Sequence, residues 1–446
     1  MRIEELEAGQ RPTPAMLQRV ASTDAQALET AARIITDVRT RGDEALRDYT
    51  LEFDKVASKG FRVTEEEIAR ALKQVDRRTV EALQLAAQNI RSFHERQVQQ
   101  SWFVTQPDGA LVGSRITPLE SVGIYVPGGR AQYPSTVLMN ALPAQVAGVA
   151  RIAMVTPPRA DGTVAPVTLA AARIAGVTDI YAVGGAQAIA ALAYGTEQIA
   201  PVDKITGPGN AWVAAAKRVV YGDVGIDMIA GPSEVLILAD ETSDPSLIAI
   251  DLLAQAEHDP QACTYLVTTD EDLVDEVIDE VERYLAQSPR LEVTKESIDK
   301  NCLVLVCPDL ATALLAANTI APEHLEIQMD QPLELLGLIE NAGAIFLGPW
   351  TPESVGDYIA GPNHTLPTGG TARFSSPLSV DDFVKRSSII SYSYAALQKE
   401  ADVIRTIANA EGLWAHGKAV DVRFETRDEP VLAGGTEGTP EGGAED

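Results

Sequence analysis

The chain has 446 residues, 45% of them hydrophobic, and carries a net charge of −28, with 64 Asp and Glu against 36 Lys and Arg. This length allows about three domains with a sizeable core, and the acidic balance excludes nucleic-acid binding through a broad basic surface. Only ten of the basic residues are Lys. Because salt screens the self-repulsion of such a surface, we expect a salt-adapted, cytoplasmic protein.

Two further classes of protein are disfavoured by the sequence. The N-terminus MRIEELEAGQRPTP lacks the basic and apolar regions of a signal peptide, and no apolar run reaches the ~18 residues of a membrane span. We therefore expect neither export nor a membrane partner. The three cysteines, Cys263, Cys302 and Cys307, show no CxxC spacing. They are predicted to be small buried hydrophobes.

The chain begins with helical patterns and then changes to alternating elements. Residues 1–105 are predicted to be helical, because apolar residues recur at helical spacing between charges. From Val122, short β-branched runs such as VGIYVPGG, RIAMVTPP and DIYAVGG alternate with Ala-rich helices. This alternation predicts βαβ units around a parallel sheet.

A second series of the same kind follows. It comprises the helix DPSLIAIDLLAQAEHD, the strand CTYLVTT, a long helix from Asp270, the strand CLVLVC, the helix LATALLAANTI and the strand GAIFLGP. Residues 379–410 are predicted to return to helix. The last residues, LAGGTEGTPEGGAED, are rich in Gly and acids and are predicted to be disordered. The fold class expected is α/β with two such series.

The five histidines are the first lead to chemistry. Four of them have a carboxylate nearby in the sequence: Glu257–His258, Glu323–His324, Asp357–His364 and Glu411–His416. A scarce residue paired with acids suggests a metal or proton-transfer site, although in so acidic a chain the pairing also arises by chance. His94, on an Arg-rich helix, is predicted to be an ordinary surface or capping histidine. No HExxH zinc signature is present.

Glycines at predicted strand ends are the second lead. They are Gly128 and Gly129, Gly184 and Gly185, and the GPGN turn from Gly207 to Asn210. A Gly turn that opens into a helix suits a phosphate or another anion. None matches GxGxxG, and a tight turn that only Gly can form explains each one equally well.

Eight blocks together resemble histidinol dehydrogenase, in the order found in that family, from about residue 20 to about 423. The blocks are YVPGGRAQYPSTVLMN, GGAQAIAALAYGT, KITGPGNAWVAAAKR, DMIAGPSEVLILAD, DLLAQAEHD, APEHLEI, ESVGDYIAGPNHTLPTGGTARFSSPLSV and EGLWAHGKAV. The resemblance implies a zinc enzyme with one Zn²⁺ per subunit. It would oxidise L-histidinol through bound L-histidinaldehyde to L-histidine with two NAD, the final steps of histidine biosynthesis.

The same resemblance implies the architecture. It implies an intertwined homodimer with two incomplete Rossmann-like α/β domains, one inserted in the other, and small helical terminal segments. The parts expected are an N-terminal arm 1–24, a first α/β domain 25–124 plus 239–375, an inserted NAD-side domain 125–238, a C-terminal helical segment 376–430 that reaches the partner, and a disordered acidic tail 431–446.

Site residues are carried over by position. Glu323 and His324 are implied as the proton-transfer pair, expected at a loop or helix start after Pro322. The implied zinc ligands are Gln255, His258, Asp357 and His416, although a Gln oxygen is an unusual zinc ligand. Implied substrate contacts comprise these four with Ser233, His324 and Glu411, and His364 is expected beside the substrate or a ligand. The implied NAD contacts are Tyr125, Gln187 and Asn210.

Three rival functions stay open at this point. The nearest is a relative that oxidises another small alcohol without an imidazole ring. A zinc hydrolase with Glu323 as its base would act without NAD, and an acidic binding protein would hold no metal tightly.

Overall fold

The computed structural model describes residues 1–19, 25–128 and 132–425. Gly129 and the predicted tail 431–446 lie outside these ranges. The strands are β1 Arg2–Glu5, β2 Trp102–Thr105, β3 Leu111–Pro118, β4 Ser121–Tyr125, β5 Arg151–Thr156, β6 Asp179–Ala182, β7 Lys204–Thr206, β8 Gly225–Ile226, β9 Glu234–Ala239, β10 Cys263–Thr268, β11 Cys302–Val306, β12 His324–Ile327, β13 Ala344–Leu347 and β14 Val384–Ser391.

The α-helices span most of the remaining chain. They are α1 Pro14–Leu17, α2 Ala25–Arg41, α3 Asp43–Tyr49, α4 Glu65–Leu72, α5 Arg77–Glu95, α6 Pro134–Ala147, α7 Pro166–Ile174, α8 Gly185–Tyr194, α9 Ala211–Val220, α10 Pro245–Ala256, α11 Asp272–Leu285, α12 Leu291–Asn301, α13 Leu310–Ile320, α14 Glu353–Tyr358, α15 Tyr394–Ala410 and α16 Trp414–Glu425. A π-turn covers Thr50–Asp54, and 3₁₀ turns cover Pro332–Glu334, Leu336–Leu338, Thr371–Arg373 and Val380–Phe383.

Helix α5 shows how the helical N-terminal part forms. The Asp76 side chain caps it by accepting from the backbone N–H of Thr79 at 2.9 Å. Its apolar positions face the core, and His94 is fully buried among them. His94 Nδ1 lies 2.8 Å from the carbonyl of Ile90 on the preceding turn. The prediction of a surface histidine is therefore wrong, because the helix turns position 94 toward the core with its apolar residues.

The first parallel sheet has the strand order β6-β5-β4-β7-β8. Neighbouring residues of its strands point to opposite faces, as in a doubly wound sheet. Ile124 and Met154 belong to the core with α6 and α7, whereas Tyr125 and Val155 belong to the core with α8 and α9. The sheet is thus buried on both faces.

The second parallel sheet has the order β1-β11-β10-β9-β12-β13. Without β1, this order matches that of the first sheet. β1 pairs in parallel with β11 from Arg2↔Leu303 to Glu5↔Val306, so residues of the stretch expected as an arm form its edge strand. Leu236 faces the core with α13, and Ile237 faces the core with α10 and α11.

The described residues form two compact units, one within 1–98 and 117–385 and the other within 99–116 and from 386 onward. The second unit contains α15, α16 and most of a small sheet of order β14-β3-β2.

The helix predictions are wrong for three segments that form strands, Arg2–Glu5, Trp102–Thr105 and Val384–Ser391. β1 and β14 depend on partners distant in sequence, which local periodicity does not reveal. β2 pairs with the nearby β3 in an antiparallel hairpin.

The fold class is α/β, as predicted, and both series of strands and helices form parallel sheets. All three cysteines are buried and free, which confirms their interpretation. In the parts of the chain that the structure describes, no helix combines the length and the apolar character needed to cross a bilayer.

Candidate active site

Glu323 and His324 lie at the amino end of β12, not at a helix start. His324 is the first residue of this strand and Glu323 directly precedes it. Both side chains are buried, with 6% and 4% exposure. The strand starts here because His324 pairs with Val235 of β9 and with Ala344 of β13.

The backbone of Glu234 holds both members of this pair. Its N–H donates to Glu323 Oε2 at 2.9 Å, and its carbonyl lies 3.1 Å from His324 Nδ1. A carbonyl only accepts, so this contact, shorter than the 3.3 Å from Nδ1 to the Gln255 amide, favours the tautomer with the proton on Nδ1 and the lone pair on Nε2. Nε2 is buried and has no hydrogen-bond partner among the described residues. The lone pair is therefore available to a substrate proton.

Burial sets the protonation of the pair. Desolvation lowers the pKa of His324 to about 4, so the ring is neutral at pH 7. Desolvation also raises the pKa of Glu323 well above that of an ordinary carboxyl. A carboxylate with a raised pKa accepts a proton more readily, which suits a general base.

Two predicted metal ligands, His258 and Asp357, come together beside His324 with an acid that was not predicted, Glu353. Ligand atoms of these three residues all lie within 4.8 Å of one another. Glu353 and Asp357 occupy positions i and i+4 of α14, so they share one face of that helix. His324 Nε2 is 3.9 Å from a carboxylate oxygen of each.

The Gln255 amide, a third predicted ligand, lies between His258 and Glu353. One end is 3.0 Å from His258 Nδ1, and the other end is 3.1 and 3.2 Å from the two carboxylate oxygens of Glu353. A carboxylate only accepts hydrogen bonds, so the amide nitrogen faces Glu353 and the oxygen faces His258. An amide oxygen, an imidazole and carboxylates suit a divalent metal such as zinc. The residues present therefore fit the metal that the family resemblance implies.

Ser233 and His364 lie close to this group. Ser233 directly precedes β9, next to the Glu234 backbone that holds the pair. His364 Nδ1 lies 3.2 Å from the carbonyl of Asp357 and 3.8 Å from its carboxylate. The next residue toward the N-terminus, Asn363, donates to the carbonyl of Met139 on α6 at 2.6 Å. This turn therefore connects the catalytic side to a helix of the first sheet.

Glu411 and His416 belong to the second unit. Glu411 caps the end of α15, His416 lies on α16, and both are exposed. In the first unit, the structure brings together Gln255, His258 and Asp357 of the predicted ligand set.

The three predicted NAD contacts lie at the carboxyl edge of the first sheet. Tyr125 ends β4, Gln187 lies in the first turn of α8 after β6, and Asn210 caps α9 after β7. The Tyr125 hydroxyl accepts from the N–H of Gly185 at 3.1 Å, and burial raises the pKa of Tyr125 to about 12. Gln187 Oε1 is buried with no partner in the described ranges. This edge is where open α/β sheets bind ligands.

The turn before Asn210 is held against β4 by two buried charges. Gly207 donates to Asp227 Oδ2 at 2.8 Å and accepts from Lys217 Nζ at 3.0 Å, and Lys217 forms an ion pair with Asp227. Gly207 has φ +113°, and a Cβ there would overlap the carbonyl oxygen of Tyr125. Only glycine fits here, so the close approach to β4 accounts for the glycine at this position.

Sequence reasoning missed two residues of the site, Glu353 and Glu234. Glu353 stands four positions before Asp357 in ESVGDY, and that spacing could have placed both on one helix face. Glu234 acts through its backbone, for which the side-chain pattern carries no signal.

Comparisons with known proteins agree with this geometry. The profile of the histidinol dehydrogenase family matches residues 17–424. The histidinol dehydrogenase of Bacillus cereus is 55% identical over 394 residues, covering 88% of this chain and 92% of the relative. That of Bacillus subtilis is 54% identical over 395 residues, covering 89% and 92%.

A solved structure agrees as well. The crystal structure of histidinol dehydrogenase from Elizabethkingia anophelis has a TM-score of 0.90 and 37% sequence identity, and covers 96% of this chain and 98% of that one. The resemblance found in the eight sequence blocks is thereby confirmed. The chain belongs to the histidinol dehydrogenase family and is an NAD-dependent oxidoreductase.

Proposed function

We propose that the chain uses one zinc ion per subunit to oxidise L-histidinol, through bound L-histidinaldehyde, to L-histidine with two NAD, as the final steps of L-histidine biosynthesis. The observation that carries this proposal is the buried, unpartnered Nε2 of His324 beside the group formed by Gln255, His258 and Asp357. When bound, zinc would supply a template and a Lewis acid for the imidazole and amino nitrogens of the substrate.

In the first oxidation, His324 Nε2 accepts the hydroxyl proton of histidinol. The carbon that carries this hydroxyl transfers a hydride to NAD, which yields the aldehyde and NADH. The hydrogen bond from Nδ1 to the Glu234 carbonyl stabilises the ring as it becomes positive. The ring returns its proton to solvent before the next step.

In the second oxidation, Glu323 takes a proton from a water that adds to the aldehyde carbon, and the former aldehyde oxygen takes up a proton, which gives the hydrate. His324 then accepts a hydroxyl proton of the hydrate while a second hydride passes to a second NAD. Tyr125, Gln187 and Asn210 would bind each NAD in turn at the edge of the first sheet. No GxGxxG loop is present, so we expect binding loose enough for two cofactors to exchange while one substrate stays bound.

We further propose that the active protein is a homodimer in which Glu411 and His416 complete the partner's site. The second unit exposes many large apolar side chains, which a monomer rarely leaves in water. They are Trp102, Phe103 and Val104 on β2, Ile390 on β14, Val403 and Ile407 on α15, and Trp414 on α16. A second copy would cover them. The cytoplasmic location stays a prediction from the sequence.

The test is an assay of NADH formed with L-histidinol in molar KCl. We expect two NADH per histidine, loss of activity after chelation, and recovery with zinc or another borderline divalent metal. L-Phenylalaninol, which lacks the imidazole, serves as the control alcohol and should not react appreciably. Equal rates with both alcohols would favour a relative with another substrate, and full activity of metal-free protein would refute the zinc assignment.

His258→Asn gives a second measurement of the metal assignment. We expect a lower zinc content per chain, because one of the imidazole ligands is lost. Zinc content equal to that of the parent would contradict the role of His258.

A further inference from the structure

The side chain of Gln255 contacts three residues at the end of α10. It is fully buried; its amide nitrogen faces both oxygens of Glu353 at 3.1 and 3.2 Å and lies 3.3 Å from His324 Nδ1, and its amide oxygen faces His258. Glu353 has 2% exposure and carries no assigned role. A buried carboxylate that accepts twice from one amide restricts the orientation of that amide.

We propose that Glu353 is the positioning residue of the metal centre: it holds the Gln255 amide with its oxygen turned toward the metal. This inference rests on the proposed zinc site. Residues that orient a metal ligand through a hydrogen bond set both the geometry and the affinity of the site. Glu353 therefore acts through Gln255.

The structure holds Glu353 firmly enough for this role. Its backbone N–H donates to Glu326 Oε1 at 2.8 Å. Gln328 Nε2 donates to Glu326 Oε2 at 2.8 Å and to Asp251 Oδ2 at 2.7 Å. These contacts attach the start of α14 to β12 and α10. One turn of α14 therefore supplies the ligand Asp357 and the group that orients the ligand Gln255.

This arrangement explains why an amide stands where a carboxylate would bind zinc more strongly. A Glu at position 255 would place a second buried carboxyl directly against that of Glu353, and two buried like charges in contact are unfavourable. Gln255 removes that repulsion and supplies the hydrogen-bond donor that Glu353 needs. The unusual ligand is a consequence of its neighbour.

The test compares the full chain with Glu353→Gln, Gln255→Glu and the reversed pair Gln255→Glu/Glu353→Gln. Zinc affinity is measured by competition with a chromophoric chelator. The visible ligand-field spectrum of the cobalt-loaded protein reports the geometry at the metal, and thermal melting verifies that each variant folds. Asp251→Asn is the matched control, because it removes a buried carboxyl of the same cluster whose hydrogen bond goes to Gln328.

We expect Glu353→Gln to weaken zinc binding by ~10 to 100-fold, the usual effect of losing such a contact, and to shift the cobalt bands. Gln255→Glu alone should also weaken binding. The reversed pair should return to within about threefold of the parent, since the amide introduced at position 353 can donate to the carboxylate introduced at position 255. The two effects are then strongly non-additive. Asp251→Asn should stay within about threefold of the parent.

Several results would overturn the inference. Tighter zinc binding by Gln255→Glu alone would mean that Glu353 either binds the metal itself or does not contact Gln255. Additive losses in the reversed pair, or a loss in Asp251→Asn equal to that of Glu353→Gln, would each be incompatible with it. If the parent chain binds no zinc, both the proposed function and this inference are refuted. If the parent binds zinc and Glu353→Gln binds it with the same affinity, only this inference is refuted.

Discussion

The two parallel sheets share one strand order but use opposite edges. In the first sheet, Tyr125, Gln187 and Asn210 lie at the carboxyl edge, where the topology of open α/β sheets predicts a ligand. In the second sheet, His324 and Glu234 are the first residues of β12 and β9, so the proposed proton-transfer pair lies at the amino edge. Strand order therefore predicts the location of the proposed cofactor contacts but not of the proposed catalytic pair.

The chemistry of the two edges also differs. The cofactor edge carries neutral polar groups from β4, α8 and the start of α9, and one buried ion pair holds the turn before Asn210. The catalytic edge buries acids from β12 and α14 close together, and burial raises the pKa of Glu326 to about 8. This difference matches the two roles that we propose, cofactor binding at the first edge and metal binding with proton transfer at the second.

Substitution of His324 should have the largest effect and separates catalysis from cofactor binding. His324→Asn should slow both oxidations by ~10² to 10⁴-fold, because each needs the same general base. Single-turnover kinetics with histidinol and with added histidinaldehyde measure the two steps. The affinity for NAD should not change, because the cofactor edge is intact. A comparable loss of NAD affinity would show that the two edges are not independent.

Glu323→Gln should affect the rates of the two oxidations differently. We expect a large loss in the oxidation of added histidinaldehyde, which needs an activated water, and a small loss in the oxidation of histidinol. The measurement is the ratio of the two rates in the variant against the parent. Equal losses in both steps would argue against a dedicated role of Glu323 with water.

Complementation examines whether the catalytic edge is complete within one chain. A chain with Glu323→Gln and His324→Asn and a chain with His416→Asn should each be nearly inactive alone. Refolded together in equal amounts, random pairing gives roughly half mixed dimers, each with one intact site, so about a quarter of the parent activity should return. Activity that stays at the level of the separate variants, although mixed dimers form, would mean that each site is built from one chain.

Gly207→Ala should break the cofactor edge while the catalytic edge stays intact. The added Cβ would overlap the carbonyl of Tyr125, so the turn must shift and the KM for NAD should rise about tenfold, equivalent to ~1.4 kcal/mol. The matched control is Gly222→Ala, with φ +112° and no atom within 4 Å of the new Cβ. Gly222→Ala should lose ~1 kcal/mol of stability from backbone strain alone, and Gly207→Ala should lose more because of the overlap with Tyr125. A rise in the KM for NAD of equal size in both would refute a specific role of the Gly207 turn.

The smallest effect concerns the surface rather than either edge. The net charge of −28 is carried mainly by exposed acids, whereas Glu323 and Glu353 are buried beyond the reach of salt. Molar KCl shortens the Debye length to ~3 Å and screens the surface, so the melting temperature should rise by several degrees. A steady fall in the melting temperature as KCl increases would contradict the predicted salt adaptation.

Much of this molecule was determined by local sequence. Helical spacing and β-branched runs predicted both α/β series, and the caps formed by residues such as Asp76 need only neighbouring atoms. The motif blocks identified the family and, with it, the residues Gln255, His258 and Asp357. Such features depend on side chains within a few positions of one another, so they can be predicted from the sequence.

Tertiary structure alone decided the rest. β1 and β14 are strands because distant segments pair with them, and His94 is buried because its helix packs against the core. The proton on His324 Nδ1 and the orientation of the Gln255 amide follow from the Glu234 carbonyl and the Glu353 carboxylate, which lie 90 and 98 positions away in the sequence. Hydrogen bonds over such separations form only after the chain has folded, and therefore no local pattern encodes them.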